Sequence, residues 1–239
     1  MISTAFNAFV YTPLYNGLVF LVDVVPAHDV GLAVILLTIF TRIILFPLSK
    51  RAIETQAKMR EIAPEVEALK EKLKDKREEQ GRAILALYRE KGVRPFASFL
   101  LLFIQLPILI GLYWVFSHGG LPAVDASVLY SFVTVPESVN MLFLGLTPMD
   151  GHSIVLALLA GVSQFAYTRL SMGPRVPAQK PAGTSFSADM ARSFDLQIRF
   201  ILPIMVAVIS YYVVAAAPLY WLTSNLFMIG QELFMGRRY

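Results

Sequence analysis

Val30–Leu48 reads VGLAVILLTIFTRIILFPL, nineteen residues with a single charge at Arg42. As a helix the run rises roughly 28 Å, close to the hydrocarbon thickness of a bilayer. A guanidinium at that depth costs at least ~2.5–3.5 kcal/mol on insertion scales, so its presence calls for a reason. Arg42 lies six residues, about 9 Å, from the basic end of the run, and a long side chain can snorkel part of that way. The competing reading is a functional cation. The neighbours of Arg42 decide between the two.

Outside this run the composition is that of an integral membrane protein. The chain is 56% hydrophobic and only 16% charged, where a soluble domain carries nearer ~25% charge. There is no cysteine, which excludes disulfides, a thiolate metal site and a lipoprotein anchor. The first residues lack a basic n-region, so no cleavable signal peptide is expected.

The placement of charge orders the spans. Residues 1–41 contain no Lys or Arg, 49–95 contain thirteen of the twenty-one, and 96–168 again contain none. Arg169, Arg175, Lys180, Arg192 and Arg199 follow, then Arg237 and Arg238. The positive-inside rule puts 49–95, 169–199 and the C-terminus in the cytosol, and the N-terminus and 118–151 outside. Five spans satisfy this: 30–48, 96–117, 152–170, 196–214 and 218–235, the last two joined by an outer turn at Ala215–Ala217. Val128–Leu146 is apolar too, but counting it would invert 169–199, and it carries Pro136 and Glu137. It reads as an outer interfacial segment. Residues 1–29, with Pro13, Asn16, Gly17 and Asp23 interrupting the apolar pattern, read as an interfacial helix on the outer leaflet; the alternative, a span over 3–26, would leave only His28 and Asp29 to mark the hairpin with the next span.

Residues 49–95 read as a cytosolic helical hairpin. Ile62, Val66, Leu69 and Leu73 form one apolar stripe on the first arm, and Ile84, Leu87 and Tyr88 face it from the second. Pro64 restarts the first arm, Asp75–Gly81 is the expected turn, and Glu54–Lys58 and Glu78–Arg82 are expected i,i+4 pairs. The bland reading is a solvated linker, but its length suits a docking surface. Residues 171–195, rich in Pro, Gly, Ser and Ala, read as a flexible linker.

No enzyme constellation appears. His28, His118 and His152 fall at or beyond the outer boundaries without ligand partners at helical spacing, and Glu232 reads as interfacial. There is no phosphate-binding glycine loop, no cofactor motif and no nucleic-acid readout. The spans hold uncharged polar residues instead: Gln105 and Tyr113, then Ser163 and Gln164, then Tyr220, Trp221, Thr223, Ser224 and Asn225. Such residues often serve as interhelical glue. That account suits Ser163 and Thr223 but not Arg42, which has no acid in the spans to pair with. An unpaired cation fits a wet cavity open to the cytosol.

Several stretches resemble the YidC membrane-protein insertases of the Oxa/Alb superfamily: GLAVILLTIFTR at 31–42 with IILFPLSKR to 51, LYREKGVRPF at 87–96, IQLPILIGLYW at 104–114, LLAGVSQF at 158–165 and LYWLTSN at 219–225. The resemblance runs in order over about residues 10–236. It implies an all-α, polytopic five-transmembrane-helix bundle with the cytosolic hairpin between the first two spans, as in a minimal prokaryotic member with N-terminus outside and C-terminus inside. By resemblance Arg42 is the groove arginine, Gln105 a polar groove residue, and Trp221, Ser224 and Asn225 its neighbours. Tyr113 joins the same groove set. Leu106, Pro107 and the region of Ile204 fall where the family meets substrate. The expected activity is insertion of nascent membrane proteins, without a cofactor, and the expected partners are those substrates and the bilayer. A Sec translocon, ribosome or targeting receptor would dock through the hairpin. An anion transporter or channel using Arg42 is the alternative, although no inverted repeat supports it. Arg94-Pro95, Leu101 and Val213-Val214-Ala215-Ala216 depart from the family's usual pattern. The absence of a long basic C-terminal tail weakens any expectation of stable ribosome tethering.

Overall fold

A computed structural model describes residues 2–74, 76–93, 97–117, 120–173 and 196–236. The 174–195 part of the expected linker, His118, Arg94-Pro95 and the C-terminal Arg237 and Arg238 lie outside the described residues. Helices dominate: α1 (Ile2–Phe6), α2 (Thr12–Val24), α3 (Val30–Ile44), α4 (Phe46–Glu61), α5 (Ala63–Lys72), α6 (Arg77–Glu90), α7 (Ala97–Ser117), α8 (Ile154–Met172), α9 (Leu202–Tyr212) and α10 (Ala216–Phe234). Wider π turns at Asn7–Tyr11 and Gln197–Ile201 lead into α2 and α9. The chain forms two compact units, Met1–Arg42 with Pro107–Tyr239, and Ile43–Leu106. Among the described residues, Thr4–Val24 and Ile154–Met172 are long and apolar enough to cross a membrane, and α3 with α4 would be a third if it acts as one broken span.

In the first unit, α2, α3, α7, α8 and α10 share one apolar core around Leu18, Val19, Val30, Val34, Val115, Leu156 and Leu219. The segment expected to lie on the outer leaflet is therefore a helix with one face in this core. Tyr15, Leu18, Val19 and Val22 are fully buried, whereas Phe9 and Val24 stay exposed. Phe6 meets Trp114 of α7 edge to face at 5.2 Å. Asn16, one of the interruptions in its sequence, and Tyr15 beside it are anchors. Asn16 donates to Val128 O at 3.0 Å and accepts from Tyr130 N at 2.6 Å, and the Tyr15 hydroxyl accepts from Asp125 N at 2.8 Å.

The loop after α7 is not helical over 120–151 beyond one short turn at Ala126–Val128. It also carries a small antiparallel ladder, β1 (Leu142–Phe143) with β2 (Thr147–Pro148), which the all-α expectation missed. The cause is local. Gly145 takes φ 71°, and Leu144 takes φ 51°, a left-handed value costly to a side chain with a Cβ. Asp29 holds that turn in place. Its Oδ1 accepts from Gly31 N at 2.7 Å and Leu32 N at 3.1 Å, capping α3, while Oδ2 accepts from Leu144 N at 2.8 Å. Phe143 then lies flat on Gly31, where an added Cβ would fall 2.2 Å from its ring. The loop also meets the start of α10, because Ala215 N donates to Gly151 O at 2.7 Å and Ala216 N to Met149 O at 3.1 Å. The turn expected at Ala215–Ala217 closes earlier, and α10 has begun by Ala216.

The first span departs from the straight run read in the sequence. It breaks at Leu45, and α4 restarts with Pro47 in its first turn. Proline has no N–H for the carbonyl four residues back, and its ring crowds that carbonyl. Arg42 is thus two residues from the end of α3, not six from the end of a longer helix.

In the second unit, Ile62, Val66, Leu87 and Val93 bury together, with Met59, Leu69, Ile84 and Tyr88 packed around them. This is the stripe read in the sequence except for Leu73, which is not part of the cluster. Pro64 lies in the first turn of α5, after a break at Ile62, as its chemistry predicts. α5 and α6 run antiparallel: Lys91 pairs with Glu65 at 3.0 Å, and Gln80 donates to Lys70 O at 2.9 Å. The Lys91 ammonium is held above its ordinary pKa, chiefly by its hydrogen bond to Glu65. The turn is shorter than expected, and Gly81 lies inside α6. The expected pairs are also replaced: Glu54 pairs back to Lys50 at 4.0 Å, and Lys76–Glu79 forms where Glu78–Arg82 was expected.

Candidate functional site

Arg42 is 4% exposed, and its guanidinium turns onto α10. Nε donates to Ser224 Oγ at 2.7 Å, and an Nη donates to the same hydroxyl. Ser224 is itself fully buried. One turn earlier on α10, buried Tyr220 lies beside the Ser224 hydroxyl. Among the described residues no carboxylate pairs with Arg42. The guanidinium therefore does not snorkel to water. It is held inside the unit by a neutral acceptor.

The adjacent residue continues the polar line in another direction. Successive helical residues are ~100° apart, so Ser224 and Asn225 address different neighbours. Asn225 Nδ2 donates to Ser163 Oγ on α8 at 3.1 Å, and Ser163 donates to Ala160 O at 2.9 Å. One residue on, Gln164 Nε2 donates to Thr168 Oγ1 at 3.2 Å. Thr38, one turn before Arg42, is buried with its hydroxyl on Val34 O. α10 thus joins the cation of α3 to the hydroxyls and amides of α8. The close approach of α8 to α9 is set at Gly161, where a Cβ would stand 2.6 Å from Ala207 Cβ.

The remaining expected residues are dispersed. Trp221 is half-buried on α10. Pro107 lies inside α7 and is half-buried, while Tyr113 on the same helix is 40% exposed. Ile204 on α9 is 64% exposed, alongside Met205 and Val208. Gln105 and Leu106 belong to the second unit, where Gln105 is half-buried and Leu106 exposed.

Two further residues of α10 are buried: Glu232, read from the sequence as interfacial, is fully enclosed by protein, and Gln231 beside it is 4% exposed. The signal was available, because 231 and 232 lie seven residues, or about two turns, beyond Ser224 and Asn225 on the same faces. On α8, Thr168 and Ser171 likewise extend the face of Gln164 and are buried.

A cation buried against hydroxyl and amide dipoles can take up an anion. A carboxylate accepts two parallel N–H bonds from a guanidinium, a stronger arrangement than one hydroxyl provides. Among the described residues no three His, Cys, Asp or Glu side chains gather as metal ligands.

Helices of span length, a shared apolar core and a buried arginine in a polar seam describe a mostly helical protein of the membrane type with one charge enclosed in its interior. The model of the 60Kd inner membrane protein family matches residues 20–239, and the chain belongs to that family, the family of the YidC proteins. A protein named membrane protein insertase YidC from Methylobacillus flagellatus is 30% identical over 227 residues, 95% of this chain and 35% of that protein. A YidC of the same description from Francisella tularensis subsp. novicida is 30% identical over 209 residues, 87% of this chain and 33% of its own length. The chain thus spans about a third of the length of these curated relatives.

Proposed function

We propose that this chain is a membrane-protein insertase, and that Arg42 is the point at which it attracts the polar tail of its substrate. The observation that carries this reading is a guanidinium 4% exposed, held by a serine hydroxyl and by no carboxylate among the described residues. Such a cation favours an incoming acid over its present partner. The substrate's outer tail enters a hydrated groove open to cytosol and lipid, which lowers the desolvation cost of its polar groups. Tyr113, Trp221, Ser224 and Asn225 line that groove in this reading. The apolar segment of the substrate leaves along Pro107 and along the exposed face around Ile204. Burial at roughly 25 cal/mol per Å² drives the step without nucleotide hydrolysis. The N-terminus is outside and the C-terminus cytosolic. The 49–95 segment, with thirteen basic and nine acidic residues, docks a translocon, ribosome or targeting receptor on the cytosolic side.

Reconstitution into protein-free liposomes tests the activity. Insertion of a simple single-span substrate, reduced by Arg42→Ala, is the expected result. Anion flux without insertion would replace the proposal with a transporter, and neither activity would reduce the chain to a docking subunit.

A further inference from the structure

We propose that the turn at Leu142–Leu146 is a lipid-seated anchor, its leucines lying among the acyl chains just beneath the headgroups at the Asp29 end of the helices. Leu142, Leu144 and Leu146 are 46%, 62% and 82% exposed, whereas Phe143 between them turns inward onto Gly31. Three large apolar side chains on one tight turn form a small patch, and such patches on a membrane protein mark contact with an apolar medium. The turn is also conformationally expensive for leucine. Leu144 takes φ 51°, where glycine or asparagine would be strain-free. A turn that faced water would gain from a polar residue at that position. Leucine there is favoured by burial in an apolar phase.

The anchorage of the turn sets its level. Asp29 Oδ2 accepts from Leu144 N, and Asp29 Oδ1 caps the first turn of α3. Val30 N donates to Asn140 O, and Asn140 N donates to His28 O. The turn is thereby fixed at the start of α3 and cannot swing away. Residues 138–149 carry no charged side chain. Eight residues after Leu146 the span-length helix α8 begins, with Ile154, Val155 and Leu158 exposed in its first turns. The leucine turn thus lies in sequence beside the apolar face of a span, and the same lipid phase covers both. The occupant is the bilayer rather than a protein, because residues 138–149 offer no charge to specify a protein partner and the chain runs on into a span-length helix whose first turns are exposed and apolar.

The chain has no cysteine, so single-cysteine labelling has no background. Leu146→Cys and, as a control in the same loop, exposed Glu137→Cys would be labelled with an environment-sensitive NBD fluorophore. Both would be reconstituted into phosphatidylcholine–phosphatidylglycerol vesicles. At position 146 shallow nitroxide-labelled lipid should quench at least severalfold more than at 137, and aqueous iodide correspondingly less. Equal iodide quenching at the two positions, without lipid quenching at 146, would overturn the proposal. The unmodified chain provides a second measurement that does not depend on the variants folding. With a photoactivatable phospholipid, adducts should appear on 142–146 as well as on the exposed face of α8. Adducts on α8 with none on 142–146 would show that the turn meets water or protein instead.

Discussion

Asp29 and Arg42 are buried charges at opposite ends of one helix, thirteen residues or about 20 Å apart, and their surroundings differ in kind. Asp29 is 4% exposed and accepts three backbone N–H bonds, two from its own helix and one from Leu144. Those partners cannot leave without unfolding a turn. Arg42 is equally buried, but its partner is the side-chain hydroxyl of Ser224 on another helix. That hydroxyl can be displaced by a better acceptor while both helices stay intact. A buried charge bound by backbone serves architecture, and one bound by an exchangeable side chain is available for chemistry. The same contrast separates the loop end of the first unit from its arginine end.

Substitutions should therefore damage fold at the first end and activity at the second. Gly31→Ala should have the largest effect on stability, roughly 3 kcal/mol, because the added carbon overlaps the Phe143 ring. Thermal unfolding in detergent checks it, and an unchanged Tm would mean the loop is free to shift. Asp29→Ala should cost about 2 kcal/mol by leaving buried N–H groups without an acceptor. Hydrogen exchange should then rise at Gly31, Leu32 and Leu144 together, whereas an increase at Gly31 and Leu32 alone would separate the cap from the turn.

At the other end Arg42→Ala should change Tm far less than Asp29→Ala, but lower insertion more for substrates with Asp/Glu tails than for matched Asn/Gln tails. An ion pair at 4 Å gains about 4 kcal/mol at an effective dielectric of ~20 before desolvation. A net tenth of that is about a twofold rate difference. Arg42→Lys should retain more of the acidic preference than Arg42→Ala. Equal losses for both tails would remove the electrostatic role and leave the arginine as a hydrating group. The smallest effect belongs to the second unit, where Lys91→Ala should leave Tm within error. The exposed Glu65–Lys91 pair trades one solvated arrangement for another, and a clear drop would mark it as part of the α5–α6 packing.

Much of this arrangement is legible in the sequence where a single periodicity decides it. The stripe Ile62–Val66–Leu69–Leu73 and the restart at Pro64 are local, and both match the structure apart from Leu73, which lies outside the packed cluster. Arg42 stands out because charge is so rare in an apolar run; Tyr220 and Ser224 share a face by i,i+4 spacing, but only the family resemblance sets that face beside Arg42. What the sequence hides depends on distant partners. Asn16 reads as a blemish in an apolar pattern, and the role of Asp29 goes unread, because their acceptors and donors, Val128, Tyr130 and Leu144, lie more than a hundred residues away. Glu232 reads as a membrane-boundary residue because its place near a helix end weighs more in hydropathy than its register with Asn225 two turns earlier. The break at Leu45 was also available, since Pro47 announces it, but the length of the apolar run masked it.

The break also bears on how a lone guanidinium is tolerated in so apolar a place. An α-helix carries a partial negative charge of roughly half a unit at its C-terminus, where the last carbonyls point outward without partners. Ending α3 at Ile44 brings that terminus within one turn of Arg42, and Pro47 has no N–H to offer the Ile43 carbonyl. The backbone itself thereby offers a diffuse counter-charge, reduced by the positive end of α4, which starts at Phe46. Unlike a carboxylate, this one is fixed, cannot be protonated, and is too weak to neutralise the arginine.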